Sequence, residues 1–327
     1  MSRAARPEAG TGKRTTEDYT IMRNRLSLIF AILPAWALLG CDPPPITDNG
    51  VIGIFGGVGL GNGEFSYPRA ITAEPDGAVF VVDKSGRIQR FSARGEFETG
   101  WKMPQTQTGK PVGIAVHPDG RLFVADTHYH RVMIYDRDGR LLGQFGEQGN
   151  GDGQVQLPTD VDFDSEGFIY VSEYQGNDRL TQWAPDLTFV RAIGEEPIDG
   201  QRLRRPAAID VDGDDVIWVA DACNHRIVRF DTQGRVVGTF GEMGDGPGQL
   251  RYPYDINVAP DGASVMVCEY GGNRLQWFDR SGRSLRTWGG HGREPGRLWT
   301  PWGAAYGPGG NVYVVDSLNS RIQIVRP

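Results

Sequence analysis

From residue 51 onward, short apolar runs of four or five residues alternate with Gly/Asp/Pro turns, and one order of runs returns six times. Each unit opens at a proline: Pro68, Pro111, Pro158, Pro206, Pro253 and Pro301, at steps of 43, 47, 48, 47 and 48 residues. In the unit after Lys110, Val112–Val116 predicts a first strand. His117-Pro118-Asp119-Gly120 is a turn, with proline presetting φ and glycine supplying a positive φ. Leu122–Ala125 predicts a second strand closed by Asp126, and Arg131–Tyr135 a third. Asp138-Gly139 makes a hairpin turn into a fourth, Leu141–Phe145. The second run reads VFVVD (Val79–Asp83), IYVSE (Ile169–Glu173), IWVAD (Ile217–Asp221), VMVCE (Val265–Glu269) and VYVVD (Val312–Asp316) in the other units. Runs with so little alternation suit strands covered on both faces.

Four antiparallel strands repeated at a period of roughly 40–50 residues make an all-β fold, a six-bladed β-propeller. The last unit stops after its third strand, Ile322–Arg326. The missing fourth lies at the other end: VIGIFGGVGLGNGEFSYP (Val51–Pro68) aligns without a gap to VVGTFGEMGDGPGQLRYP (Val236–Pro253). Val51–Phe55 is therefore expected to complete the sixth blade and close the ring, which removes edges open to aggregation.

The units resemble NHL repeats. The motif is carried by Ala220-Asp221-Ala222-Cys223-Asn224-His225-Arg226-Ile227. It recurs more loosely as Ala125-Asp126-Thr127-His128-Tyr129-His130-Arg131-Val132 and Val315-Asp316-Ser317-Leu318-Asn319-Ser320-Arg321-Ile322. The resemblance covers residues 51–327 and implies the fold. It implies no single function, because such propellers include RNA-binding, sensor and enzyme domains.

Residues 1–40 read as an upstream extension and a secretory signal, with Met22 the better start. Arg23 and Arg25 precede an apolar run, Leu26–Leu39, that is short for a membrane span of about 20 residues. Leu38-Leu39-Gly40-Cys41 resembles a bacterial lipobox, which implies lipidation at Cys41. Residues 41–50 then form a Pro-rich tether ahead of the propeller, residues 51–327. The expected location is extracytoplasmic, anchored to a bacterial membrane on its periplasmic side or at the cell surface. Residues 41–327 carry 28 Lys/Arg against 38 Asp/Glu, a formal charge of −10. Such a surface speaks against nucleic acid, whose binding needs phosphate neutralisation. Cys223 and Cys268 are expected to stay free, because the repeat register does not set them side by side.

Several motifs fail on inspection. Asp162, Asp164, Glu166 and Glu173 have EF-hand spacing, but the repeat puts Glu173 at the far end of a strand, about 20 Å away. The Gly-rich loops lack Gly-Lys-Ser/Thr and a following helix. The amidating lyases of this fold bear zinc on histidines directly after the first-strand proline. Here those positions are Arg69, Val112, Thr159, Ala207, Tyr254 and Trp302. No metal site, catalytic residue or cofactor is expected. The acid–arginine pair present in every unit (Asp83/Arg87, Asp126/Arg131, Glu173/Arg179, Asp221/Arg226, Glu269/Arg274, Asp316/Arg321) reads as scaffold.

Function belongs where the units differ. In units three and five the second residue after the proline is Asp160 or Asp255, against Ala or Gly elsewhere, and the strand-end acid becomes Glu173-Tyr174 or Glu269-Tyr270. The candidate ligand-binding rim is Arg69, Thr159, Asp160, Glu173, Tyr174, Tyr254, Asp255, Glu269, Tyr270 and Trp302. Aromatic faces with carboxylates suit sugars, cationic groups or peptides. The reading is a monomeric binding or scaffold propeller with an unidentified protein, peptide or carbohydrate partner. The alternative is a lactonase-like, metal-dependent hydrolase or lyase using the central carboxylates.

Overall fold

The computed structural model describes residues 49–327. The expectations for the signal, Cys41 and the tether up to residue 48 lie outside the described residues. Six four-stranded antiparallel sheets form the described chain, and its helical content is four single 3-10 turns. The inner strands are Pro68–Ala73, Gly113–Val116, Pro158–Phe163, Pro206–Val211, Pro253–Val258 and Pro301–Tyr306. Five start at the repeating proline, whose missing N–H is harmless at the first residue of a strand. In blade two the strand starts two residues after Pro111.

The sixth sheet runs Val51–Gly56, Arg321–Val325, Val312–Asp316, Pro301–Tyr306. Val51 pairs with Val325 and Gly56 with Arg321, so the first strand supplies the outer strand of the last blade, as the sequence predicts.

Second strands are buried along their whole length in five blades, and in blade five from Val265 onward. Their second residue is large and apolar: Phe80, Phe123, Tyr170, Trp218, Met266 and Tyr313 are all inaccessible to solvent. Each wedges between neighbouring blades; Trp218, for example, packs with Ile256, Val265 and Phe278 of the next sheet. Burial of one such side chain stabilises by about 1.5–3 kcal/mol, so the ring is held chiefly by blade-to-blade contact.

The acid that ends each second strand organises the rim above it. Asp221 accepts from the Arg204 N–H (2.7 Å), Asn224 Nδ2 (2.8 Å) and Arg226 Nε (2.8 Å). Arg226 continues to the carbonyls of Ile198 and Gln201, tying down the loop from the preceding blade. Equivalent pairs occur at Asp83–Arg87, Asp126–Arg131, Glu173–Arg179, Glu269–Arg274 and Asp316–Arg321. The scaffold reading of this set agrees with its geometry. Cys268 is buried, Cys223 is half-buried, and both are free thiols.

Candidate binding site at the channel mouth

Along each inner strand, alternate side chains face the central channel. The residue after the proline stands at the mouth, the next channel position makes an upper tier, and the position two further on makes a lower tier. The upper tier is Ala70, Gly113, Asp160, Ala208, Asp255 and Gly303; the lower is Thr72, Ala115, Asp162, Asp210, Asn257 and Ala305. All four acids fall in blades three, four and five, so one half of the channel is acidic and the other nearly apolar. Gly113 has no freedom to be larger, because a Cβ there would overlap the Thr159 carbonyl and the Asp160 backbone.

The channel carboxylates fasten neighbouring blades together. Asp160 accepts from the Ile209 N–H (3.1 Å), Asp162 from Val211 (2.6 Å), Asp210 from Val258 (2.7 Å) and Asp255 from Ala304 (2.7 Å). In each case the donor is the inner strand of the following blade, which has no ladder partner on that edge. Asn257 also donates to Asp255 (3.0 Å). Burial pushes all four upward, Asp162 and Asp255 to about 7. For Asp160 and Asp210 the neighbouring acids add to the effect of burial.

The mouth itself is aromatic and cationic. Tyr270 stacks on Tyr254 (centroids 4.5 Å, 21°), and Trp302 meets both edge-on at 5.6 and 5.2 Å. Tyr67 abuts Trp302 edge-on. The Arg69 guanidinium lies 5.1 Å over Trp302, and Arg205 lies 5.0 Å from Tyr174 and 5.1 Å from Tyr254. A cavity of about 210 Å³ opens here, lined by Arg69, Val112, Thr159, Tyr174, Arg205, Tyr254 and Trp302, among others.

Of the ten residues expected on the rim, Arg69, Tyr174, Tyr254, Tyr270 and Trp302 come together at this mouth. Asp160 and Asp255 lie one tier below, in the channel. Two expectations need correction. Glu173 and Glu269 are not on the rim: both are inaccessible to solvent. Glu173 is held by Arg179, Asn177 and the Gln156 N–H, and Glu269 by Arg274, Gln276 and the Arg251 N–H. Thr159 lines the cavity, its hydroxyl bonded to Ser172 and to the Pro206 carbonyl.

The paired change in blades three and five has a local cause. Blades two, four and six follow their strand-end aspartate with a 3-10 turn at Thr127–Tyr129, Ala222–Asn224 and Ser317–Asn319. Blades three and five have glutamate and no such turn, and blade one, with Asp83, has none either. Like the aspartates of other blades, each glutamate accepts from the preceding loop (Gln156 and Arg251 N–H), the Tyr174 and Tyr270 N–H groups bond the Gln156 and Tyr252 carbonyls, and the tyrosine that follows joins the mouth.

The family model described as NHL repeat matches residues 108–135, 203–230 and 298–325. The chain carries NHL repeats. It is 33% identical to Protein brain tumor of Drosophila melanogaster over 41% of this chain and 13% of that protein. It is 25% identical to NHL repeat-containing protein 3 of Mus musculus over 59% of each, and 33% identical to peptidylglycine alpha-amidating monooxygenase of Rattus norvegicus over 37% of this chain and 14% of that protein. The chain thus spans between 13% and 59% of the length of these relatives. Among solved structures it is similar to a streptogramin B lyase (TM-score 0.62, 16% identity, 83% of this chain and 96% of that one). A Bacteroides thetaiotaomicron protein of unknown function gives a TM-score of 0.63 at 16% identity, covering 83% and 71%. At these identities the likeness concerns the fold.

The histidine of the NHL motif is a blade-to-blade clip. His225 Nδ1 accepts from the Tyr252 N–H (3.1 Å) and His130 Nδ1 from Leu157 (3.2 Å). Asp178 and Asn273 do the same for Arg205 (2.7 Å) and Thr300 (2.8 Å). Each donating residue precedes an inner-strand proline and has a positive φ, a costly combination that needs fixing from outside. Burial holds both histidines below their ordinary pKa, in keeping with a neutral acceptor nitrogen.

Sequence reasoning missed Arg205, Tyr67, Asp162, Asp210 and Asn257. The last three were reachable, since strand alternation puts them two residues beyond the tier that was compared. The NHL channel also carries a pH prediction. The folded-state pKa values of Asp162 and Asp255 lie above that of an unfolded aspartate, so their contribution is full below about pH 4 and lost as pH rises to about 7. Asp162→Asn and Asp255→Asn keep the acceptor oxygen and remove the charge. Each is expected to match the parent at pH 4 and to exceed it by about 1–3 kcal/mol at pH 8 in urea unfolding. Variants less stable than the parent at pH 8 would contradict this account.

Proposed function

We propose that this chain is a binding propeller, exported and lipid-anchored through Cys41, that holds a protein or peptide partner at its aromatic mouth. The observation carrying this reading is the cluster of Tyr254, Tyr270, Trp302, Arg69 and Arg205 around one small cavity. Half-buried aromatic and arginine side chains are the residues that dominate protein interfaces. A carbohydrate is less suited, because Arg69 lies over Trp302, Arg205 over Tyr174 and Tyr254, and Tyr254 and Tyr270 stack on one another, which takes up ring faces that a sugar would use. At the opposite rim Glu74 is paired with Arg90 and Arg137, and Asp119 with Arg121. The first strand starts at that rim, where Val51 meets Val325.

The enzymatic alternative draws on the acidic half of the channel. Against it, each of these carboxylates already accepts an N–H from the next blade, and among the described residues no group of three or more His, Cys, Asp or Glu is arranged to hold a metal ion.

A photo-crosslinking residue at position 270 of the full chain, in intact cells, is expected to trap a discrete partner that the same residue at position 137 does not. Trp302→Ala should abolish the adduct, and Cys41→Ser should move the chain from the membrane to the soluble fraction. Equal adducts from both rims would overturn the mouth as the binding site, and an unchanged membrane fraction for Cys41→Ser would overturn the anchor.

A further inference from the structure

The arginine that opens each third strand has a carboxylate partner. Arg69 and Arg205 differ. Among the described residues neither guanidinium has a hydrogen bond or an ion pair, and Arg69 Nε is buried with no partner. Both line the same cavity of about 210 Å³. Burial lowers the Arg69 pKa, and Arg205 adds to this by repulsion, so the two charges sense each other. The upper-tier acids do not relieve them, since Asp160 and Asp255 bond the next blade and are held toward the protonated form. A half-buried pair of like charges without partners is unfavourable unless a ligand completes it.

We propose that Arg69 and Arg205 together bind a carboxylate of a peptide partner, its C-terminal group or an acidic side chain, inserted into the channel mouth. This rests on the binding reading above and names the chemistry of its ligand. A planar guanidinium suits a carboxylate because its N–H fork can make two parallel bonds, and the ring beneath each arginine holds the fork in place at little entropic cost. The cavity is smaller than the roughly 300–1,000 Å³ of drug-sized sites, and takes one side chain or one terminal residue. Val112 and Ala207 give it apolar wall for that residue. A polyphosphate chain is disfavoured by the formal charge of −10 on residues 41–327.

The test uses the purified full chain and two probes, acetyl-Ala-Gly-Ala-Leu as the free acid and as the carboxamide, followed by calorimetry. The acid is expected to bind at least about tenfold more tightly, and Arg69→Gln and Arg205→Gln should each remove about tenfold. Arg69→Lys, which keeps the charge and loses the fork, should fall between; thermal melts verify that each variant is folded. Equal binding of acid and amide, or an acid preference that survives both glutamine variants, overturns the carboxylate site while leaving the mouth as a binding surface. Failure of both probes together with loss of the position-270 adduct overturns both readings. D-glucuronate or inorganic phosphate binding more tightly than the peptide acid overturns the peptide assignment.

Discussion

Deleting Val51–Gly56 is expected to lower the melting temperature by about 10–20 °C and to leave a protein that aggregates on refolding. The strand pairs along its length with Arg321–Val325. Val51 is 4% exposed and sits in the cluster with Trp277, Leu298 and Val325. Phe55 packs at 4.8 Å on Phe91 of the first blade. Losing two such side chains and the ladder between the strands costs about 5 kcal/mol or more, a large share of a typical domain's stability. The deletion also bares an edge, Arg321–Val325, that another copy can pair with. Differential scanning calorimetry and protease digestion check this. An unchanged melting temperature with unchanged protease resistance would show that the ring does not depend on the clasp.

Asp221→Ala carries the second large effect. It removes the acceptor for three donors and leaves Arg226, itself buried, without its carboxylate. Removing one partner of a buried pair typically costs about 3–5 kcal/mol, because the remaining charge stays desolvated. The Asp221→Ala/Arg226→Ala double variant should lose clearly less than the sum of the single losses. The graded exposure of the arginines makes the prediction sharper. Arg226 and Arg179 are 9% and 7% exposed, whereas Arg87, Arg131, Arg274 and Arg321 are 15%, 15%, 16% and 14%, so removing the acid in those four blades should cost less than Asp221→Ala. Equilibrium urea unfolding measures all of them. If Asp221→Ala folded as stably as the parent, the repeated pair would have to be regarded as something other than scaffold.

The propeller was legible because its signal is redundant. Any one of the second strands is ambiguous alone, but six copies at near-constant spacing, with an outer strand displaced from one end to the other, admit one ring. Part of the site was legible for a related reason. Arg69, Tyr254 and Trp302 occupy a position that is otherwise small or aliphatic, and the Glu-Tyr pairs break the pattern of their neighbours. The same contrast misled at Glu173 and Glu269. A variant residue was taken for a displayed one, whereas glutamate there reaches further into the same buried role that aspartate fills in other blades. What the substitution changes is the loop behind it, and through the loop the placing of Tyr174 and Tyr270.

Pattern and spacing along the chain were enough to establish the number of blades, the strand order, the closing strand and the scaffold role of the acid–arginine pairs. Each of these follows from local alternation and repetition, which a linear sequence records directly. Tertiary structure alone decided that the channel acids staple one blade to the next, and that Arg205 comes to share a cavity with Arg69. Those two arginines lie three blades apart in sequence and meet only because the ring brings every inner strand to one axis. Distance along the chain carries no information about neighbours across a channel.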